Sequence, residues 1–210
     1  MSLAFLSPAP SAVARSPMER EALAAGARLE QRAGWNVAVA YDDEQRRLAA
    51  VGFADRSHIG KLELRGEHGL ELGRATIKED VWWCPSSADR AIVLCEPERT
   101  AELREALGDG VVDLTSAMGA LTIAGPLAPE VFARFTAIDL RPRVTPVHGF
   151  RPGSVARTPG AILREAEDRW LMLFGAALGS YVWTVVADAA ASLGGGPVGT
   201  EALAEVAAGA

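Results

Sequence analysis

Cysteine is scarce in this chain: 210 residues hold two, Cys84 and Cys95, with no Cys-x-x-Cys pair. That excludes a disulfide framework and a zinc-binding cysteine set, and leaves two buried or half-buried thiols in a reducing compartment such as the cytoplasm. Histidine is as sparse, and His68 and His148 lie in glycine-containing loops without partners at metal-ligand spacing, so no metal is expected. Concentrated basic charge is also missing. The 21 Lys and Arg are mixed with 27 Asp and Glu for a net charge of −6, which argues against a nucleic-acid partner. No apolar run is long enough for a membrane span, because the stretch from Leu171 to Ala191 is broken by Gly175, Gly179, Ser180 and Asp188. Met1 to Val13 carries Pro8 and Pro10 and no basic n-region, so it reads as an N-terminal arm over residues 1–15 rather than a signal peptide.

What is present is a mixture of short apolar strands and amphipathic helices. Ser16-Pro17 opens a helix predicted to run to Ala33. Strands follow at Trp35–Tyr41 and Leu48–Phe53, and Lys61–Arg65 alternates so that Lys61, Glu63 and Arg65 share one expected solvent face. One strand over Ala75–Cys84 pairs with Arg90–Cys95 across the turn 85–89. Beyond it the pattern gives a helix at Pro97–Leu107, strands at Val111–Thr115 and Ala120–Ala124, and a helix at Pro129–Phe135. Residues 139–158 read as irregular crossing chain, 161–164 with 170–174 as a hairpin, Gly179–Ala191 as a long helix and 199–210 as a short one. The fold class is α+β, with antiparallel sheets and a ferredoxin-like α/β layer.

Two separated stretches carry a resemblance. The first joins Ser16-Pro17-Met18, Gly26-Ala27-Arg28-Leu29, Gly34-Trp35 and Tyr41 to the run Val51-Gly52-Phe53-Ala54-Asp55-Arg56-Ser57-His58-Ile59-Gly60-Lys61 and Leu64-Arg65-Gly66. The second runs from Arg90-Ala91-Ile92-Val93-Leu94 through Asp113-Leu114-Thr115 and Leu121-Thr122-Ile123-Ala124-Gly125-Pro126 to Trp183 and Gly196-Pro197-Val198-Gly199. In order and spacing they resemble the folate-binding domain of the glycine-cleavage T-protein family, the tetrahydrofolate-dependent aminomethyltransferases. A similar layout is that of the gamma subunit of heterotetrameric sarcosine oxidase, a shorter relative. The resemblance implies one folate-binding-like domain over residues 16–210, made of two intertwined subdomains, about 16–89 with 140–178 and 90–139 with 179–210. The C-terminal barrel domain of the family has no counterpart.

The resemblance also implies a site. A carboxylate matches the paired donors on a pterin edge, and a second carboxylate near the reacting nitrogens serves proton transfer or charge stabilisation. By alignment Glu79 and Asp80 are the catalytic acids, and Trp83, Arg164, Trp170 and Met172 line the cofactor site for tetrahydrofolate, with a small amine as donor. The pattern departs from the family at the pterin-binding glutamate, which falls on or beside Met172, and in the loss of glycine from 164–173. An unpaired pterin donor costs on the order of 1–3 kcal/mol. Two functions follow: a one-carbon-transfer protein with altered ligand positions, or a non-catalytic gamma-type subunit whose partners are the other chains of an amine-oxidising complex. Read without the family, Glu79 and Asp80 are a solvated strand end and Trp82, Trp83 and Trp170 are core. Ser57, His58 and Asp55 are too close in sequence to converge as a triad.

Overall fold

The computed structural model of the chain describes residues 12–208. Of the expected N-terminal arm, residues 1–11 lie outside that range, while Ala14 accepts from Asn36 N and donates to the Gly34 carbonyl. Helix α1 (Glu19–Ala24) is shorter than expected, because Gly26, at φ 88°, ends it within two turns. The charged residues beyond Gly26 form strand β1 (Arg28–Arg32), antiparallel to β2 (Trp35–Ala40). Ala33 and Gly34 both take positive φ between them, the backbone of a two-residue hairpin turn whose twist matches its strands.

Next come α2 (Glu44–Leu48), β3 (Gly52–Asp55) and β4 (Gly60–Arg65). The single strand expected over 75–84 is instead two, β5 (Thr76–Lys78) and β6 (Val81–Ser87), folded back at Glu79 and Asp80 with φ of 51° and 60°. Strand β7 (Arg90–Cys95), helix α3 (Thr100–Leu107), β8 (Val111–Asp113), β9 (Met118–Ala124) and α4 (Ala128–Phe132) follow as predicted to within a few residues. The stretch expected to be irregular contains β10 (Phe150–Val155), which pairs with β11 (Thr158–Ala166) through a tight turn at Ala156 and Arg157. Strand β12 (Arg169–Gly175), α5 (Gly179–Ala191), β13 (Gly196–Pro197) and α6 (Thr200–Ala208) complete the order.

Two sheets carry the architecture. One has the order β10-β11-β12-β9-β3-β13, antiparallel except where β13 meets β3, and the other the order β5-β6-β7-β4-β8. Residues of period two explain how they stack. Along β12, Trp170, Met172 and Phe174 face a core shared with Met18, Phe132, Val182, Trp183 and Val186, so α1, α4 and α5 cover that side. Leu171 and Leu173 point the other way, into a core shared with Ile59, Cys84, Ile92 and Leu94 of the five-stranded sheet. The far side of that second sheet packs under α3, with Leu62, Val81 and Val93 against Leu103 and Leu107. The layers therefore run helices, sheet, sheet, helix.

One expected surface residue is buried. Lys61 is 0 % exposed, and its ammonium donates to the Ser57 and Ile59 carbonyls at 2.8 Å each. Its face turns solvent-accessible only further along β4, at Glu63 and Arg65.

Candidate functional site

A buried charge cluster lies at the end of the two-sheet core, where the β3–β4 loop meets the β11–β12 turn. Arg56 Nη1 lies 2.7 Å from Glu165 Oε1 and 3.4 Å from Thr122 Oγ1, and Arg169 Nε lies 2.9 Å from the other Glu165 oxygen. The three side chains are 15 %, 8 % and 19 % exposed. Burial opposes the charge on Glu165, but Arg56 and Arg169 outweigh it and hold the carboxyl below its usual range. Burial likewise opposes the Arg56 charge, and Glu165 more than restores it.

Behind this triad sits Asp55, 6 % exposed, which accepts from Ser16 Oγ and from Ser57 N at 2.9 Å. Burial raises its pKa against the pull of those hydrogen bonds and of Lys61. Lys61 is itself pushed down to about 8 by burial, partly offset by Asp55 and Asp113. These groups hold the β3–β4 loop against β9, where Ser57 Oγ accepts from Ala120 N at 3.2 Å.

The hollow over the triad is small. It measures about 50 Å³ and is lined by Arg56, Ile59, Asp80, Trp82, Glu96 and Glu165 among others. That volume holds water, whereas sites for organic ligands run to roughly 300–1,000 Å³. Trp82 closes one side, packed edge-to-face on His148 at 5.1 Å. Outside it an open groove of about 540 Å³ runs past Trp82, Pro126 and the 165–169 turn.

The residues predicted for the site fall in three places. Glu79 and Asp80 form an exposed turn; Glu79, 87 % exposed, pairs with Arg99 at 3.8 Å, and Asp80 alone of the two lines the hollow. Trp83 packs on the α3 side of its sheet, away from Trp82. Arg164 is buried, stacks 4.7 Å above the Trp170 ring, and donates to the Thr145 and Glu167 carbonyls. Trp170 and Met172 are core residues on the helix-covered side of the six-stranded sheet. Arg164 and Trp170, partners across β11 and β12, are thus brought together, and the six residues do not share one cavity.

No family model matches the chain. Sarcosine oxidase subunit gamma from Corynebacterium sp. (strain P-1) is 29% identical over 150 residues, 70% of this chain and 73% of that protein. A chain of the heterotetrameric sarcosine oxidase from Corynebacterium sp. U-96, in complex with pyrrole 2-carboxylate, superposes with a TM-score of 0.67 at 22% identity, covering 88% of this chain and 98% of its own. Glycine cleavage system aminomethyltransferase T from Bartonella henselae gives a TM-score of 0.74 at 16% identity, covering 90% of this chain and 60% of its own. The chain shares their fold. The likeness expected from the two sequence stretches, to the aminomethyltransferase and to the sarcosine oxidase gamma subunit, is therefore borne out.

Arg56, Glu165 and Arg169 are not among the residues predicted for the site, although all three lie inside the stretches compared with the family. The available signal was Glu165 and Arg169 flanking a hairpin turn, charges set at the inner ends of otherwise apolar strands. Among the described residues no cluster of His, Cys, Asp or Glu could hold a metal ion, and no helix is long and apolar enough to cross a membrane.

Proposed function

We propose that the chain is a non-catalytic, gamma-type subunit of a cytoplasmic, sarcosine oxidase-like amine-oxidising complex. The observation that carries this reading is the hollow at Asp80, about 50 Å³, floored by Arg56 and Glu165 of the buried triad. A flat bicyclic ring does not fit there without moving Trp82. The buried carboxylate that lines the hollow, Glu165, already holds two arginines. Similarity to a sarcosine oxidase gamma subunit over most of both chains supports the same reading. Purification of the tagged chain from its native host tests it. Recovery in fixed ratio with chains that oxidise sarcosine is expected, and recovery as a lone monomer contradicts it.

A second reading is kept because Asp80 does line the hollow and the fold is also that of an aminomethyltransferase. It makes the chain a tetrahydrofolate-binding one-carbon-transfer protein that takes a small amine donor, with Glu79 and Asp80 as its acids and Trp83, Arg164, Trp170 and Met172 around the cofactor. Saturable quenching of the tryptophans by tetrahydrofolate, lost in Asp80→Asn, would favour it over the first.

A further inference from the structure

On the other side of the triad lies a second cleft, of about 230 Å³, between the β3–β4 loop, β12 and the first turn of α6. Three guanidinium groups reach it from three elements: Arg32, Arg56 and Arg169. Each has donors to spare. Arg169 commits Nε to Glu165 at 2.9 Å and Nη1 to the Leu203 carbonyl at 3.1 Å, which leaves Nη2. Arg56 Nη2 has Glu96 only at 4.0 Å, beyond hydrogen-bond reach. Arg32 uses Nη2 for Glu30 at 2.9 Å and Glu201 at 2.5 Å, leaving Nη1. Thr200 adds a hydroxyl oxygen shielded from solvent and without a partner among the described residues. An orphaned buried polar atom is uncommon in a folded chain and needs a reason.

We propose that this cleft is a binding site for a small phosphate-class oxyanion, held by Arg32, Arg56, Arg169 and the Thr200 hydroxyl. Arginine forks from several directions suit a compact oxyanion with acceptors on all sides. The space is ample for one phosphate group and below the range of larger ligand pockets. Glu96 and Glu98 also line the cleft, but Glu96 is 64 % exposed and free to swing away when an anion enters.

His58 supplies an internal reporter. Its ring lines the cleft and makes no hydrogen bond among the described residues, and its pKa is held at about 4 by burial first, then by Arg56, Lys61 and Arg32. Arg56, Lys61 and Arg32 each contribute a positive potential at the ring, and Glu96, Glu98 and the Arg56 partner Glu165 stand against it around the cleft. A bound oxyanion must offset part of that potential, and by reciprocity protonation of His58 must tighten the anion.

The test follows the His58 imidazole by NMR in the full chain, titrating inorganic phosphate against sodium chloride at matched ionic strength, with acetate as a third arm. Phosphate is expected to shift His58 saturably and to raise its pKa by roughly one unit. Arg32→Gln, on a partly exposed side chain, is expected to weaken phosphate about 10-fold, with the near-isosteric Thr200→Val as an independent second variant and Arg104→Gln as a control that binds normally. Equal responses to chloride and phosphate, or phosphate affinity unchanged in both Arg32→Gln and Thr200→Val, overturn the site. Acetate binding as tightly as phosphate overturns its assignment to the phosphate class.

Discussion

Glu165 is the residue on which the interior charge balance turns. Replacing it with glutamine keeps the shape but leaves Arg56 and Arg169 facing each other in a poorly solvated corner. Breaking a buried ion pair by removing one partner costs about 3–5 kcal/mol, so Glu165→Gln is expected to lower the urea midpoint steeply; a loss under about 1 kcal/mol, the size of an exposed pair, would contradict the burial described above. Lys61 gives a test through pH. Its folded pKa of about 8 lies below its ordinary 10.5, so between these values the unfolded chain binds more protons and stability rises with pH. Urea unfolding at pH 8 and pH 10 is expected to show a gain on the order of 2–3 kcal/mol in the natural chain relative to Lys61→Met. Parallel pH profiles for the two would mean that Lys61 is solvated. Neither residue could be read correctly from the sequence. Lys61 alternates with Glu63 and Arg65 as an exposed residue would, and only the closeness of Asp55 and two carbonyls makes its burial tolerable.

Among the elements, turns decide where the sequence was misread. Gly26 cuts off the first helix, yet the charged run after it fits helical spacing as well as strand spacing, so composition could not separate them. Strand β10 is hidden in the sequence because Pro152 and Gly153 look like breakers. It lies at the sheet edge, where a proline gives up no ladder hydrogen bond on its outer side. The sequence pattern puts the Glu79-Asp80 pair at the start of a strand, and the fold makes it the turn between two. Both residues take a left-handed backbone that suits asparagine and glycine better. Changing Glu79-Asp80 to Asn-Gly is expected to stabilise the chain by about 0.5–1 kcal/mol in thermal unfolding. Destabilisation would show that one of the acids has a structural partner beyond Arg99. By contrast the helices α3 and α5 and the paired strands β9 and β12 were legible, because their apolar periodicity and their proline or glycine boundaries agree.

At the scale of the molecule, family likeness was legible where local structure was not, since the spacing of Gly52, Asp55, Gly60 and Gly125-Pro126 survives even where elements were misassigned. The site was less legible: alignment could propose carboxylates and aromatics, but not that β6 would send Trp82 to one side of its sheet and Trp83 to the other. That alternation leaves only a hollow of water dimensions beside Asp80, while Arg164 and Trp170 border a separate cleft of about 520 Å³. Under the proposed subunit reading the chain works through contact with other chains. Affinity purification of the tagged chain from its native host measures this directly. A stable complex with fixed subunit ratio and sarcosine-dependent oxygen consumption is the expected result; a lone chain that binds tetrahydrofolate saturably would contradict it.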